Sequence, residues 1–258
     1  MTDTYFLNAN DFTFVPFTPT VGGDSGALQL ATSKTEPHIQ YIVKSGFSEI
    51  ACNEFMYHHI AAALGLHTQE AKLFVGLRGK KYAVGIRYIP DAKKFVFEEA
   101  DDESKKAFYE FKMLYIILNE EDSEEFYYDE QNRLFKLDNA SSFNLDTIKV
   151  NSVLNCKGKE PPPMVWQLLI NGLNFIEYDK YSICLQVMGE HHGQAALQSE
   201  YDLIKRFSEF DLSKIEAACE ALEKIYPLEV VMYYPEFIER RIDACKKFIS
   251  ENDVSQFI

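Results

Sequence analysis

Residues 41–66 read YIVKSGFSEIACNEFMYHHIAAALGL. The stretch opens on a short apolar run, Tyr41-Ile42-Val43, that ends in Lys44. Ser45-Gly46 is a turn signal. Ser48 is placed to cap a helix whose first turn carries Glu49, where a carboxylate suits the helix dipole. Ile50, Phe55, Ile60, Ala63 and Leu64 fall roughly on one helical face, and Gly65 is expected as the residue just past the helix end. Glu54 lies on the second turn. A lysine that ends a strand and a carboxylate on the next helix can form one ion pair. By itself, a lysine in that place is an ordinary solvated charge, so its meaning depends on what surrounds it.

Upstream, Phe12, Phe14 and Phe17 alternate with Thr and Pro, as in an edge strand or extended strap. Val21-Gly22-Gly23-Asp24-Ser25-Gly26 then leads into the short alternating strand Ala27–Thr32. A glycine-rich turn exposes backbone N–H groups that can cradle phosphate. Read alone it is a plain hairpin turn, and it lacks the GxxxxGK[ST] pattern. Downstream, Ala71–Leu77 and Lys81–Ile89 read as strands joined at Arg78-Gly79-Lys80. Pro90–Lys94 is a break in composition. The two segments expected are 1–92, a small antiparallel sheet carrying one helix, and 93–258, mainly helical: an α+β, bilobal chain.

In the second segment, Asp101 or Asp102 is placed to cap a helix running to about Leu118, with an apolar stripe of Phe108, Phe111, Leu114, Tyr115 and Leu118. An acidic loop, Asn119–Glu125, follows. A short hairpin, Phe126–Tyr128 and Leu134–Leu137, then delivers Asp138. Residues 144–163 read as a loop ending in three prolines. Ile238, Ile242, Cys245 and Ile249 mark a late helix. The aromatic residues Phe95, Phe97, Tyr109, Tyr127 and Tyr128 are expected to pack between the two segments. Trp166 reads as core or as an interface anchor, and His191-His192 as a surface loop. His58 and His59 read as surface or packing residues, because adjacent helical positions diverge by about 100°.

The 258 residues carry 26 basic and 40 acidic side chains, a net of −14. That balance argues against direct binding to nucleic acid or to an anionic membrane surface, both of which need clustered Lys and Arg. Five cysteines at long, irregular spacings contain no CxxC pair, so a reduced, cytoplasmic chain is expected, with Cys52 and Cys245 as small buried residues. The N-terminal MTDTYFLNANDF has neither a basic nor an apolar region of the kind a signal peptide needs.

The order of these features resembles the protein-kinase-like fold, and in particular the HipA-like kinases of bacterial toxin–antitoxin systems. Three local matches carry the resemblance: Tyr41-Ile42-Val43-Lys44; Asn53-Glu54 followed by Ala61-Ala62-Ala63-Leu64-Gly65-Leu66; and Leu137-Asp138-Asn139-Ala140-Ser141-Ser142-Phe143. It covers roughly residues 20–145, and the family's extra N-terminal subdomain is expected to be missing. The resemblance implies ATP and Mg²⁺ as cofactors. Lys44 would contact the phosphates, Glu54 would orient Lys44, and Asp138 would bind the metal. Gly23, Ser25 and Gly26 would cover the phosphates, and the segment around Tyr88 would lie beside adenine. In phosphoryl-transfer enzymes of this kind, catalysis rests on positioned cations and a metal.

The chain departs from the family in the acidic loop. The family's Asn-x-Asp-x-His-x-x-Asn pattern supplies an aspartate base and a metal-binding asparagine. Here no histidine is present; Glu120 or Asp122 stands as the candidate base and Glu125 as the candidate metal ligand. A carboxylate can accept a proton or bind Mg²⁺, but Glu120, Glu121, Asp122, Glu124 and Glu125 together would repel phosphates. Three functions follow: a kinase acting on a protein Ser or Thr, a weak or inactive kinase serving as a binding module in a toxin–antitoxin or phage-linked assembly, or a kinase-fold enzyme acting on a small molecule. The expected partners are ATP and a protein substrate or antitoxin-like protein.

Overall fold

The computed structural model describes residues 5–17, 28–44, 48–77, 83–118, 120, 125–139, 142–143, 194–226 and 231–251. Short β-prone runs in the first segment collect into one sheet. Its strands are β1 (Phe6–Asn8), β2 (Phe12–Pro16), β3 (Leu28–Ser33), β4 (Gln40–Lys44), β5 (Ala71–Val75) and β6 (Ala83–Arg87), in the order β1-β5-β6-β4-β3-β2. Pairing is antiparallel except between β1 and β5, which run parallel. Three residues of β1 are too few to show a periodicity, so this pairing is a correction to the all-antiparallel expectation. Strand β2 is an edge strand, as its Pro16 requires.

Alternation along the strands gives the sheet two apolar faces. Leu73, Val84 and Ile86 pack into the main core with Phe55, Met56 and Ile60 of helix α1 (Ser48–Ala63). Phe12, Ala31, Tyr41, Val43 and Phe74 form a smaller core on the other face. There the Phe74 ring lies over β6 at Gly85, where an added Cβ would fall 2.4 Å from Phe74 Cε2. Helix α1 ends as expected at Gly65 (φ 81°). Leu66 N–H donates to the Ala61 carbonyl at 3.0 Å and Gly65 N–H to Ala62 at 2.9 Å, the paired bonds of a Schellman motif. Ser48 is the first residue of the helix, and the residues before it lie outside the described set.

Helix α2 (Asp102–Ile117) starts behind Asp101, whose Oδ1 accepts from Ser104 N–H at 2.8 Å. A second sheet follows in the order β7 (Lys93–Lys94), β8 (Glu125–Tyr128), β9 (Leu134–Leu137). Lys93-Lys94 pairs with Tyr127-Tyr128 rather than serving only as a connection. Helices α3 (Gln194–Ser208), α4 (Ser213–Glu223) and α5 (Tyr233–Glu251) complete the described residues. The main core runs without a break from the first sheet through α1 to α2, α3, α4 and α5. On α5, Ile238, Ile242 and Cys245 are buried, as their spacing predicted. Cys52, Cys219 and Cys245 are buried and not disulfide-bonded; Cys156 and Cys184 lie outside the described residues.

The aromatic cluster differs from the expectation. Phe95 stacks on Phe108 at 5.1 Å, Phe97 meets Tyr109 at 5.8 Å, and Phe95 meets Tyr128 at 5.7 Å. Tyr127 points to the other side of β8 and stacks on Phe135 at 6.2 Å. The rings therefore join α2 to the second sheet instead of bridging the two segments. Trp166 and His191-His192 lie outside the described residues.

Candidate functional site

Lys44 is the last residue of β4, paired with Leu28 on one side and Val84 on the other. Tyr41 and Val43 turn into the smaller core, so Ile42 and Lys44 turn the other way, toward α1. Glu54 is fully buried on α1 and meets the lysine there: Lys44 Nζ donates to Glu54 Oε2 at 3.0 Å. The same ammonium donates to Asp138 Oδ1 at 2.7 Å. Two carboxylates, from α1 and the end of β9, thus converge on the one cation of β4. Glu54 Oε2 also accepts from Asn139 N–H at 3.1 Å, and its Oε1 lies 3.4 Å from His58 Nε2. His58 in turn bonds Thr68 Oγ1. Of the two readings offered for this pair, surface or packing, His58 takes the second, being buried, and His59 packs its ring against Phe55 and Tyr5.

Exposure separates the two carboxylates. Glu54 is 1% exposed and Asp138 33%. Burial alone would push the Glu54 carboxyl up, but the Lys44 ammonium and His58 outweigh it and hold its pKa down to about 2. Burial likewise disfavours the Lys44 ammonium, yet Glu54 and Asp138 hold its pKa above the usual value. Asp138 has φ 56°, a left-handed conformation that costs about 1–3 kcal/mol outside glycine and tends to occur at functional sites.

Behind Asp138 a second cluster is sealed from solvent. Lys136 Nζ donates to Glu120 Oε1 at 2.5 Å and to Asn139 Oδ1 at 3.0 Å, with neither Lys136 nor Glu120 side chain exposed. Burial pushes the Glu120 carboxyl up to about 7, the Lys136 ammonium opposing it. A general base must reach the proton that it takes. Glu120, expected as a candidate base, is occupied and enclosed instead. Its acidic-loop neighbour Asp122 lies outside the described residues, as do Gly23, Ser25 and Gly26, which fall between β2 and β3 in the chain.

Glu125 opens β8 and is paired with Leu137, next to Asp138. Tyr88 follows β6; its N–H donates to the Gln40 carbonyl at 2.8 Å and its ring meets Phe17 at 5.6 Å. Among the described residues, no group of three His, Cys, Asp or Glu side chains converges as a metal site. Mg²⁺ does not require one: it is commonly held by one or two carboxylates together with substrate phosphates, and the partly open Asp138 carboxylate suits that use. An open groove of about 880 Å³ lies elsewhere, against Gly65, His67, Asp101, Arg133 and Arg206, and includes none of these residues.

The structure brings together Lys44, Glu54 and Asp138, which the sequence singles out, and adds Lys136 and Asn139, which it does not. Asn139 belongs to the Leu137–Phe143 motif. Lys136 carried no signal, since a lysine between Phe135 and Leu137 reads as the exposed side of a strand.

The two parts, a curled six-stranded sheet carrying α1 and a mainly helical remainder, make an α+β, bilobal protein-kinase-like fold. The chain is similar to the crystal structure of a Helicobacter pylori proinflammatory kinase, CtkA, with a TM-score of 0.60 and 14% identity over 96% of this chain and 99% of that one. At that identity the likeness speaks for the fold. No protein-family model and no curated protein sequence matches the chain. Among the described residues, no helix is long and apolar enough to cross a membrane.

Proposed function

We propose that this chain is a HipA-like, kinase-fold protein that binds ATP with Mg²⁺ and transfers the γ-phosphoryl group to a serine or threonine of a protein. The observation that carries the reading is the Lys44 ammonium bonded at once to Glu54 and Asp138. Glu54, held ionised, fixes Lys44 where it can meet phosphate oxygens. Asp138 would hold Mg²⁺, with Glu125 as a second oxygen donor. When bound, the metal would neutralise charge on the phosphates. Gly23, Ser25 and Gly26 would cover the phosphates and Tyr88 would flank adenine.

In the transfer, the acceptor hydroxyl oxygen bonds to the γ-phosphorus as the bond to the ADP oxygen breaks. The hydroxyl proton passes to a carboxylate. Asp122 takes that role in this proposal, because Glu120 is enclosed by Lys136. The buried thiols of Cys52, Cys219 and Cys245, in no disulfide, support a reduced, cytoplasmic setting, and an antitoxin-like protein is the partner class the reading implies.

The enclosure of Glu120 also favours a second reading, a nucleotide-binding module without transfer. Thermal melts with ATP and Mg²⁺, and labelled γ-phosphate, test both. ATP with Mg²⁺ should raise the melting temperature, and Asp138→Ala should abolish the rise. Label on the chain itself or on a partner protein, lost in Asp122→Ala, supports transfer. Stabilisation without label supports the binding module. No stabilisation of the wild type overturns the nucleotide site.

A further inference from the structure

Lys136 is the second residue before Asp138, and its side chain has no exposed surface. Its ammonium has three protons to donate. Besides Glu120 at 2.5 Å and Asn139 Oδ1 at 3.0 Å, it faces the carbonyls of Leu137 and Asp138, each at 3.4 Å. The Tyr57 ring of α1 lies below it, 5.7 Å away. Lys136 therefore reaches the backbone on both sides of the Asp138 Cα. Asn139 links it onward, since the Asn139 N–H donates to the same Glu54 oxygen that takes Lys44.

A buried ion pair is weak support for stability, because apolar residues of similar volume often serve as well or better. An ammonium supplies something that apolar packing does not: one rigid donor centre for a carboxylate, a side-chain amide and two backbone carbonyls. Asp138, between those two carbonyls, has a left-handed backbone, at φ 56°. Mg²⁺ demands near-octahedral oxygen geometry, so a carboxylate that holds it must be fixed in direction.

We propose that Lys136 is the positioning residue for Asp138: from behind the site it holds the Leu137–Asn139 backbone in the conformation that presents the Asp138 carboxylate to a divalent cation. Glu120 is its counter-ion. The assignment rests on the reading of Asp138 as a metal ligand.

The test uses the full chain, a fluorescent ATP analogue, and titrations with magnesium chloride or with EDTA. The readout is the ratio of the two affinities, which a general loss of stability does not change. The variant is Glu120→Gln/Lys136→Met, which removes both buried charges and leaves neither unpaired. Wild type should bind more tightly with magnesium. The variant should keep its magnesium-free affinity and lose about 10-fold or more of the magnesium enhancement, the usual effect of removing a group that orients a metal ligand. A folded variant with the full enhancement overturns the role of Lys136 and leaves the nucleotide site standing. A wild type that binds no analogue overturns the nucleotide site itself. Should the double variant not fold, Asn139→Ala, which leaves the Lys136–Glu120 pair in place, decides: a severalfold loss of the enhancement supports the proposal, and full retention overturns it.

Discussion

Two lysine–glutamate pairs lie within one connected network, and they differ in what surrounds them. Lys44 at the end of β4 bonds Glu54 at 3.0 Å and keeps 14% of its side chain exposed, with the partly open Asp138 as its second partner. Lys136 on β9 bonds Glu120 at 2.5 Å with nothing exposed. The residue types are the same, and so is the supporting residue: Asn139 donates its backbone N–H to Glu54 and accepts from Lys136 at its side-chain oxygen. Only the first pair is open to a ligand. A Lys–Glu pair thus does not define a phosphate site; an accessible face and a second, exposed carboxylate distinguish the one from the other.

The largest expected effect comes from breaking the sealed pair on one side. Lys136→Met leaves Glu120 buried without its partner, and urea denaturation should show a loss of about 3–5 kcal/mol. Equal losses from Lys44→Met and Lys136→Met would erase the distinction drawn between the pairs. Lys44→Met should cost less, about 1–3 kcal/mol, since Glu54 keeps the Asn139 N–H and His58. It should nonetheless abolish stabilisation by ATP and Mg²⁺ in a thermal melt.

Smaller effects appear in the pH dependence, with opposite signs. Glu54 has a depressed pKa of about 2. Its contribution is present above the ordinary carboxylate value and is lost as pH falls toward 2. Glu54→Gln should therefore flatten the acid limb of the urea midpoint against pH. Glu120 has a raised pKa of about 7. Its contribution is full below the ordinary carboxylate value and is lost as pH rises through 7. Glu200, pushed up to about 8 by burial, acts with the same sign. The quantity to measure is thus the difference between wild type and Glu120→Gln, whose midpoint should fall less between pH 5 and 8. A Glu120→Gln curve parallel to wild type would show that Glu120 stays ionised throughout.

Much of the first pair was legible. A strand-end lysine, a carboxylate on the following helix and a glycine at its C-terminus are local signals, and Gly65 and Asp101 terminate and start their helices as predicted. Other features depend on contacts between distant residues. β1 pairs parallel with β5 across the chain. The aromatic residues selected Phe108 and Phe126 as neighbours because α2 lies against the second sheet. Glu120 looked like a base because the acidic loop reads as exposed, and only the packing of the chain after α2 against the Ser142-Phe143 turn draws it inward, where Phe143 N–H donates to the Leu118 carbonyl at 2.7 Å.

By itself, the sequence determined the α+β order of elements and the three residues Lys44, Glu54 and Asp138 that meet at the candidate site, because strand alternation, helix periodicity and turn chemistry act over a few neighbouring residues. The tertiary structure alone decided which lysine faces an open site and which is enclosed. That choice rests on desolvation and on hydrogen bonds between residues far apart in the chain, Lys44 to Asp138 and Asn139 to Glu54, which no local pattern encodes.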